Sequence, residues 1–277
     1  MESIKKTPQD FVARSTIRGF LALIRDWGII FGVISFSIWA ENFFIYLASI
    51  ILIGCMQFAI SESLMHEATH GNLFKRESWN RKLEFLFSLP CLMTMKEYVP
   101  DHLDHHNYMD TEKDHLVGAY EEYGLNKEKK NMSWLWVKPI MGFGLYFFAK
   151  FNWNIRDPQS ILKITLFWIP IIVLFTYFDK LDILLWYWVI PLFFIFPCFI
   201  YWSEIADHYN TKSGSRTRTD TVLNFLHHNA GYHHVHHTYP TIPWYNLPKA
   251  NNVFCPENVD ISTSILETFK QIIKKQI

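Results

Sequence analysis

Cysteine is scarce in this chain: Cys55, Cys91, Cys198 and Cys255 are its four in 277 residues, widely separated and without a CxxC pair. That pattern excludes a zinc ribbon, an iron–sulfur site and a disulfide framework. Two of them, Cys55 and Cys198, fall inside long apolar runs and read as small packing residues. A glycine-rich nucleotide fingerprint is also missing, so nicotinamide or flavin binding is not expected and any electrons must come from elsewhere. The first 20 residues lack an apolar core with a small-residue cleavage site, which argues against a cleavable signal peptide. Repeats, low-complexity tracts and flexible linkers are absent, so one domain over residues 1–277 is expected, with Glu121 to Asn131 as a charged surface loop. Formal net charge is zero, and no nucleic-acid partner is expected.

What the chain has in quantity is apolar sequence. Half the residues are hydrophobic and 17% are aromatic, although mean hydropathy is close to neutral. The average conceals two populations. Apolar runs cover Trp27 to Ala40, Phe43 to Ile60, Ile161 to Phe178 and Ile183 to Trp202, and Lys163 is the single charged residue within them. These lengths approach the roughly 20 residues that cross a bilayer. Extending the first run back through Gly19 to Ile24 gives a full span interrupted by Arg25 and Asp26. Four such runs are more than the core of a soluble protein of this size would contain. An all-α integral membrane protein with four transmembrane helices is expected, at about residues 19–40, 43–66, 161–178 and 183–203.

Charge asymmetry orients the spans, because Lys and Arg are retained on the cytoplasmic side. The gaps within each pair of spans, Glu41–Asn42 and Asp179 to Asp182, are poor in positive charge. Lys5, Lys6, Arg14 and Arg18, the basic segment from Leu73 to Ser160, and Lys274 and Lys275 lie on the other side. Both termini are therefore expected to be cytoplasmic, whether in a bacterial inner membrane or the endoplasmic reticulum. Trp134 to Trp153 is aromatic enough to suggest a fifth span, but Lys138 and Lys150 bracket too short a stretch to cross. An amphipathic helix at the interface, about residues 134–153, is expected instead.

Eight of the 13 histidines then stand out: His66 and His70 in HEATH, His102, His105 and His106 in HLDHH, and His233, His236 and His237 in HHVHH. Residues three and four apart share a helix face, so each cluster aims two or three imidazoles one way. Imidazole is a common transition-metal ligand, and the fixed spacing separates these clusters from a compositional storage tract. A helix continuing from the second span carries Glu62, His66 and His70 along one stripe. Pro100 suits a helix start before the second cluster, Gly231 an entry turn before the third, and Pro240 and Pro243 limit the helix after it. Glu204 and His208 emerge four apart from the last span, and only an even number of spans lets all the clusters meet on one face. Lone His115 reads as an ordinary surface residue.

HEATHG, HLDHH followed by Asp114, and GYHHVHHTYPTIPWYNLP together resemble the membrane fatty acid desaturase superfamily of desaturases, hydroxylases and carotenoid ketolases. Its pattern of one HxxxH and two HxxHH motifs around two pairs of spans is matched in order over most of the chain. The resemblance implies a cytoplasmic helical cap carrying a non-haem di-iron centre (Fe2+/Fe3+), with dioxygen as co-substrate and removal of hydrogen from an unactivated C–H bond. It implies His66, His70, His102, His105, His106, His233, His236 and His237 as ligands, with His208 in SEIADHYN matching a further family histidine. Glu204 occupies a position where some relatives place a metal-binding amide, so it is a candidate ligand. Glu67, Asp101, Asp104 and Asp207 are candidates to orient ring N–H groups from behind the ligands, and His227, His228 and His234 are expected to be hydrogen-bonding supports. No histidine-proline-glycine signature of a fused haem domain appears, so an external donor, a ferredoxin or a cytochrome with its reductase, is expected. Desaturation of an acyl chain of a fatty acid or lipid is the leading expectation, and carotenoid ketolation or lipid hydroxylation the alternative. A histidine-rich metal transporter is the alternative of another class, disfavoured because ionisable ligands along mid-membrane positions are missing.

Overall fold

A computed structural model of the chain describes residues 6–109, 111–122, 132–152 and 157–274. The side chain of His115, most of the charged stretch before Asn131, and Trp153 lie outside the described residues.

Four long helices match the apolar runs: α1 (Thr16–Ala40), α2 (Phe43–Thr69), α5 (Pro158–Tyr177) and α6 (Leu181–His208). Their ends follow from local chemistry. The Ser15 hydroxyl accepts from the Arg18 N–H at the start of α1, and Glu41 stops it in the left-handed conformation. Asn42 then caps α2, its Oδ1 accepting from the N–H groups of Phe44 and Ile45 at 2.9 and 3.2 Å. Asp157 caps α5 in the same way, at 2.8 Å from the Ser160 N–H, ahead of Pro158 in the first turn.

Helix length places the site. At about 1.5 Å per residue, the 27 residues of α2 and 28 of α6 extend roughly 40 Å, about 10 Å beyond the hydrocarbon core. The overhang carries His66 and His208 clear of the apolar layer. Between α2's regular turns lies a π-helical turn, Ala59–Ser63, of the kind that rephases a helix face beside functional sites. The Ser61 hydroxyl donates to the Gln57 carbonyl there at 2.7 Å.

α2 and α6 form the inner pair. A Cβ at Gly54 would lie 2.5 Å from the Ile195 side chain, so glycine is what admits this close approach. Ile53, Met56, Phe196, Ile200 and Tyr201 are fully buried around the contact. The outer faces of α1 and α5, including Phe31, Trp39, Leu166 and Val173, are exposed and apolar, as a lipid-facing surface requires. Arg25 and Asp26, the charges within the first run, are paired with each other at 2.6 Å, and Asp26, fully buried, meets His228 Nε2 at 2.6 Å.

The remaining elements cap one end of the bundle: α3 (Met95–Tyr108), α4 (residues 132–152), β1 (Arg216–Arg218), α7 (Thr221–Leu226), α8 (His233–Thr238), α9 (Leu247–Phe254), β2 (Asp260–Ser262) and α10 (Ile265–Ile273). β1 and β2 pair in parallel, a short addition to an otherwise helical chain. One local expectation is corrected. Pro100 lies inside α3 rather than at its start, because the helix begins a turn earlier, where Glu84 accepts from the Met95 N–H at 3.0 Å. Gly231 lies in the turn that leads into α8, as expected, and a Cβ there would meet the Arg218 carbonyl oxygen at 2.5 Å. α4 is helical, bends at Gly142, and packs Phe147 and Phe148 on α6 while exposing Val137, Ile140, Met141 and Tyr146.

Candidate metal centre

The end of α2, the face of α3, the end of α6 and the whole of α8 converge, and all nine candidate histidines meet there in two sets. His66, His70, His102, His106 and His236 form one, and His105, His208, His233 and His237 the other; within each, the potential ligand atoms lie within 4.8 Å of one another. The closest approaches pair Nε2 with Nε2: His70 with His102 at 2.9 Å, His106 with His236 at 3.2 Å, His105 with His208 at 3.1 Å, His208 with His233 at 2.8 Å, and His233 with His237 at 3.0 Å. His66 Nε2 is buried with no hydrogen-bond partner among the described residues.

Such convergence is unfavourable for protonated rings. Burial first, then the charge of neighbouring rings, pushes His102, His233, His236 and His237 well below the ordinary imidazole range, and burial alone lowers His70 to about 4. At neutral pH the site therefore presents a shell of neutral rings with free lone pairs. That donor set, with an orphaned ring nitrogen at its centre, fits two transition-metal ions held mainly by imidazole.

Several rings have their second nitrogen fixed. His208 Nδ1 donates to the Gly214 carbonyl at 2.9 Å, which leaves Nε2 free to face the second set. His105 Nδ1 lies 3.1 Å from both carboxylate oxygens of Asp114, a residue 3% exposed. Asp114 stands nine residues after His105, beyond what helical spacing assigns. Its signal was a carboxylate closely following the second cluster, of the kind that fixes a metal-ligating histidine. Arg216 was missed altogether. Fully buried, it donates to the carbonyl groups of Ala206, Tyr209 and Asn210, and so caps the end of α6 next to His208.

The acidic candidates divide. Glu67 is buried, with Oε1 3.9 Å from His66 Nδ1 and Oε2 accepting from the Trp244 N–H at 3.2 Å. Asp207 is buried but engaged by Arg218 at 2.8 and 3.1 Å and by Ser203 at 3.0 Å, not by a histidine. Asp101 and Asp104 are exposed on the outer side of α3. Glu204 belongs to neither histidine set, yet lines the cavity of about 70 Å³ that opens on both, together with Glu62, Ser63, Tyr98 and Ser203.

His227, His228 and His234 belong to neither set. His227 Nε2 contacts the Cys55 thiol at 3.2 Å, His228 meets Asp26, and His234 Nδ1 lies 2.9 Å from the Ser215 hydroxyl. A second cavity of about 180 Å³, walled mainly by apolar residues of α4, α6, α7 and α10, adjoins the first; Ser203 lines both.

Comparison with known proteins agrees with this geometry. The profile of the fatty acid desaturase family matches residues 41–261. Dihydrorhizobitoxine desaturase of Bradyrhizobium elkanii is 27% identical over 270 residues, covering 86% of this chain and 75% of that protein. Sphingolipid delta(4)-desaturases of Xenopus tropicalis and Homo sapiens are 25% and 27% identical, covering 68% and 72% of this chain. The chain spans 59% and 61% of the length of those two relatives. A family match over most of the chain, on a four-span fold that gathers the three histidine motifs at one end, shows that the protein belongs to the fatty acid desaturase family, as an integral membrane oxidoreductase of the desaturase type.

Proposed function

We propose that the chain is an oxygen-dependent di-iron desaturase that introduces a double bond into an acyl chain of a fatty acid or lipid, with its site and both termini on the cytoplasmic side. The observation that carries this reading is the convergence of nine imidazoles into sets of five and four at the end of two membrane spans. When bound, a pair of irons supplies the activation of dioxygen needed to take hydrogen from an unactivated C–H bond.

This chain's residues do the rest. His66, His70, His102, His106 and His236 would hold one ion and His105, His208, His233 and His237 the other. Asp114 and the Gly214 carbonyl keep the Nδ1 protons of His105 and His208 on the far side of their rings. The apolar cavity beside Ser203 receives hydrocarbon and excludes water from the approach to the site. Loss of a second hydrogen from the neighbouring carbon gives the alkene. The electrons come from a separate ferredoxin or cytochrome with its reductase.

Lipid profiling of cells expressing the protein tests the reading directly. A new acyl double bond that depends on dioxygen is expected, with two irons per purified chain. An unchanged acyl pool accompanied by oxidised carotenoids would sink it, as would exchangeable zinc with no oxygen-dependent turnover.

A further inference from the structure

At the end of the bundle opposite the histidine sets, the turn between α1 and α2 faces the turn between α5 and α6. A cavity of about 470 Å³ opens between them, lined by Ser37, Glu41 and Tyr46 of the first hairpin and by Lys180, Asp182 and Trp186 of the second. That size falls within the roughly 300–1,000 Å³ of small-molecule sites. Its floor is polar. Ser37, 3% exposed, is hydrogen-bonded to the Tyr187 phenol at 3.0 Å, and the Tyr46 hydroxyl donates to the Trp186 carbonyl at 3.4 Å.

Three charges stand around this floor. Among the described residues, none of the side chains of Glu41, Lys180 and Asp182 is in an ion pair or a hydrogen bond. One cation and two carboxylates gathered at one cavity, yet left unpaired, are complementary to a ligand that carries both signs. A phosphate meets Lys180. A primary ammonium, with three N–H donors, meets Glu41 and Asp182, and the Trp186 ring offers a face to the same cation. A purely anionic group would face two carboxylates against one lysine, and a quaternary ammonium has no N–H to donate.

The surroundings separate a membrane lipid from a soluble phosphoamine. Ile38, Phe43 and Trp186 line the cavity and are exposed, and Trp39, Phe44 and Leu181 continue the exposed apolar surface beside it. Aromatic side chains at the ends of spans sit at headgroup depth. Acyl chains leaving the cavity would therefore run along the lipid-facing sides of the hairpins.

We propose that this cavity binds the headgroup of a phospholipid that carries a phosphate and a primary amine, taken from the leaflet opposite the histidine sets, with Lys180 on the phosphate and Glu41 and Asp182 on the ammonium. The bound lipid bridges the two hairpins at the end remote from the candidate metal centre.

Lipid binding to the full chain purified in detergent tests it, read by native mass spectrometry with phosphatidylethanolamine, phosphatidylcholine and phosphatidylglycerol of identical acyl chains. One phosphatidylethanolamine per chain is expected, held about fivefold or more tightly than either of the others. Glu41→Gln combined with Asp182→Asn keeps the shape but removes both carboxylates, and should bring phosphatidylethanolamine and phosphatidylcholine to within about twofold of each other. Lys180→Gln should weaken both by about three- to fivefold and leave their ratio in place. These are exposed positions far along the spans from the histidines, so metal content and the melting temperature without added lipid should not change.

Equal binding of the three lipids by the unaltered protein would overturn the proposal, as would an amine preference that survives in the double variant. Displacement of bound phosphatidylethanolamine by an equal concentration of glycerophosphoethanolamine, which has the headgroup without acyl chains, would overturn the assignment to a membrane lipid.

Discussion

At the scale of single residues, the centre depends on histidines that are buried and aimed. His105 is the sharpest case: its Nε2 faces His208 and its Nδ1 faces the buried Asp114. His105→Ala is expected to lose bound iron and oxygen-dependent activity together, measured by metal analysis and turnover on the same sample. Asp114→Asn keeps the shape but removes the charge that favours the Nδ1 proton, and should weaken metal retention by about 10- to 100-fold in a chelator competition. Protonation gives a further prediction. Burial lowers His70 to about 4 from its ordinary 6.5, so both folded and unfolded chains carry this ring neutral above pH 6.5. Between pH 6.5 and about 4 the unfolded chain takes up a proton that the folded site refuses. The metal-free protein should therefore lose stability as pH falls through that window, seen as a falling unfolding midpoint, and this contribution should level off below it.

At the scale of elements, the spans deliver the ligands because they are longer than the apolar layer and their ends are capped. The exception to pure hydropathy is Arg25–Asp26 in α1. The carboxylate of Asp26 is fully buried against Arg25 and His228, while Arg25 also donates to the carbonyl groups of Phe225 and Leu226 at the end of α7. These charges bolt the first span to the cap. Asp26→Ala strands Arg25 and His228 together and should cost about 3–5 kcal/mol, as for other buried pairs that lose one partner. A melting temperature within a degree or two of the unaltered protein would contradict this. Elsewhere, the close contact of α2 and α6 rests on Gly54, and Gly54→Leu is expected to destabilise the fold by about 1–3 kcal/mol through overpacking.

At the scale of the whole molecule, parity governs function. Four crossings return the chain to the side from which it began, so α2, α3, α6 and α8 can share one site. Reporter fusions at the two termini are accordingly expected on the same, cytoplasmic face; opposite faces would refute the four-span topology. The element plan was legible in the sequence because hydropathy and histidine spacing are local signals, and a period of three or four residues implies a shared helix face wherever that helix packs. Pro100 misled because a proline within a helix looks like one at its start unless the Glu84 contact to Met95 is known.

The sequence by itself determined the kind of protein: four apolar spans, three histidine motifs at helical spacing, and their placement toward one end of the bundle. Tertiary structure decided how the nine rings divide into two sets, that Asp114 stands behind His105, that Asp207 serves Arg218, and that Arg216 caps the helix bearing His208. It also places Glu62 in the cavity that opens on both histidine sets. The physical reason is reach. Periodicity and charge balance act along the chain, whereas a buried carboxylate takes its role from whichever donor is packed against it, often more than a hundred residues away.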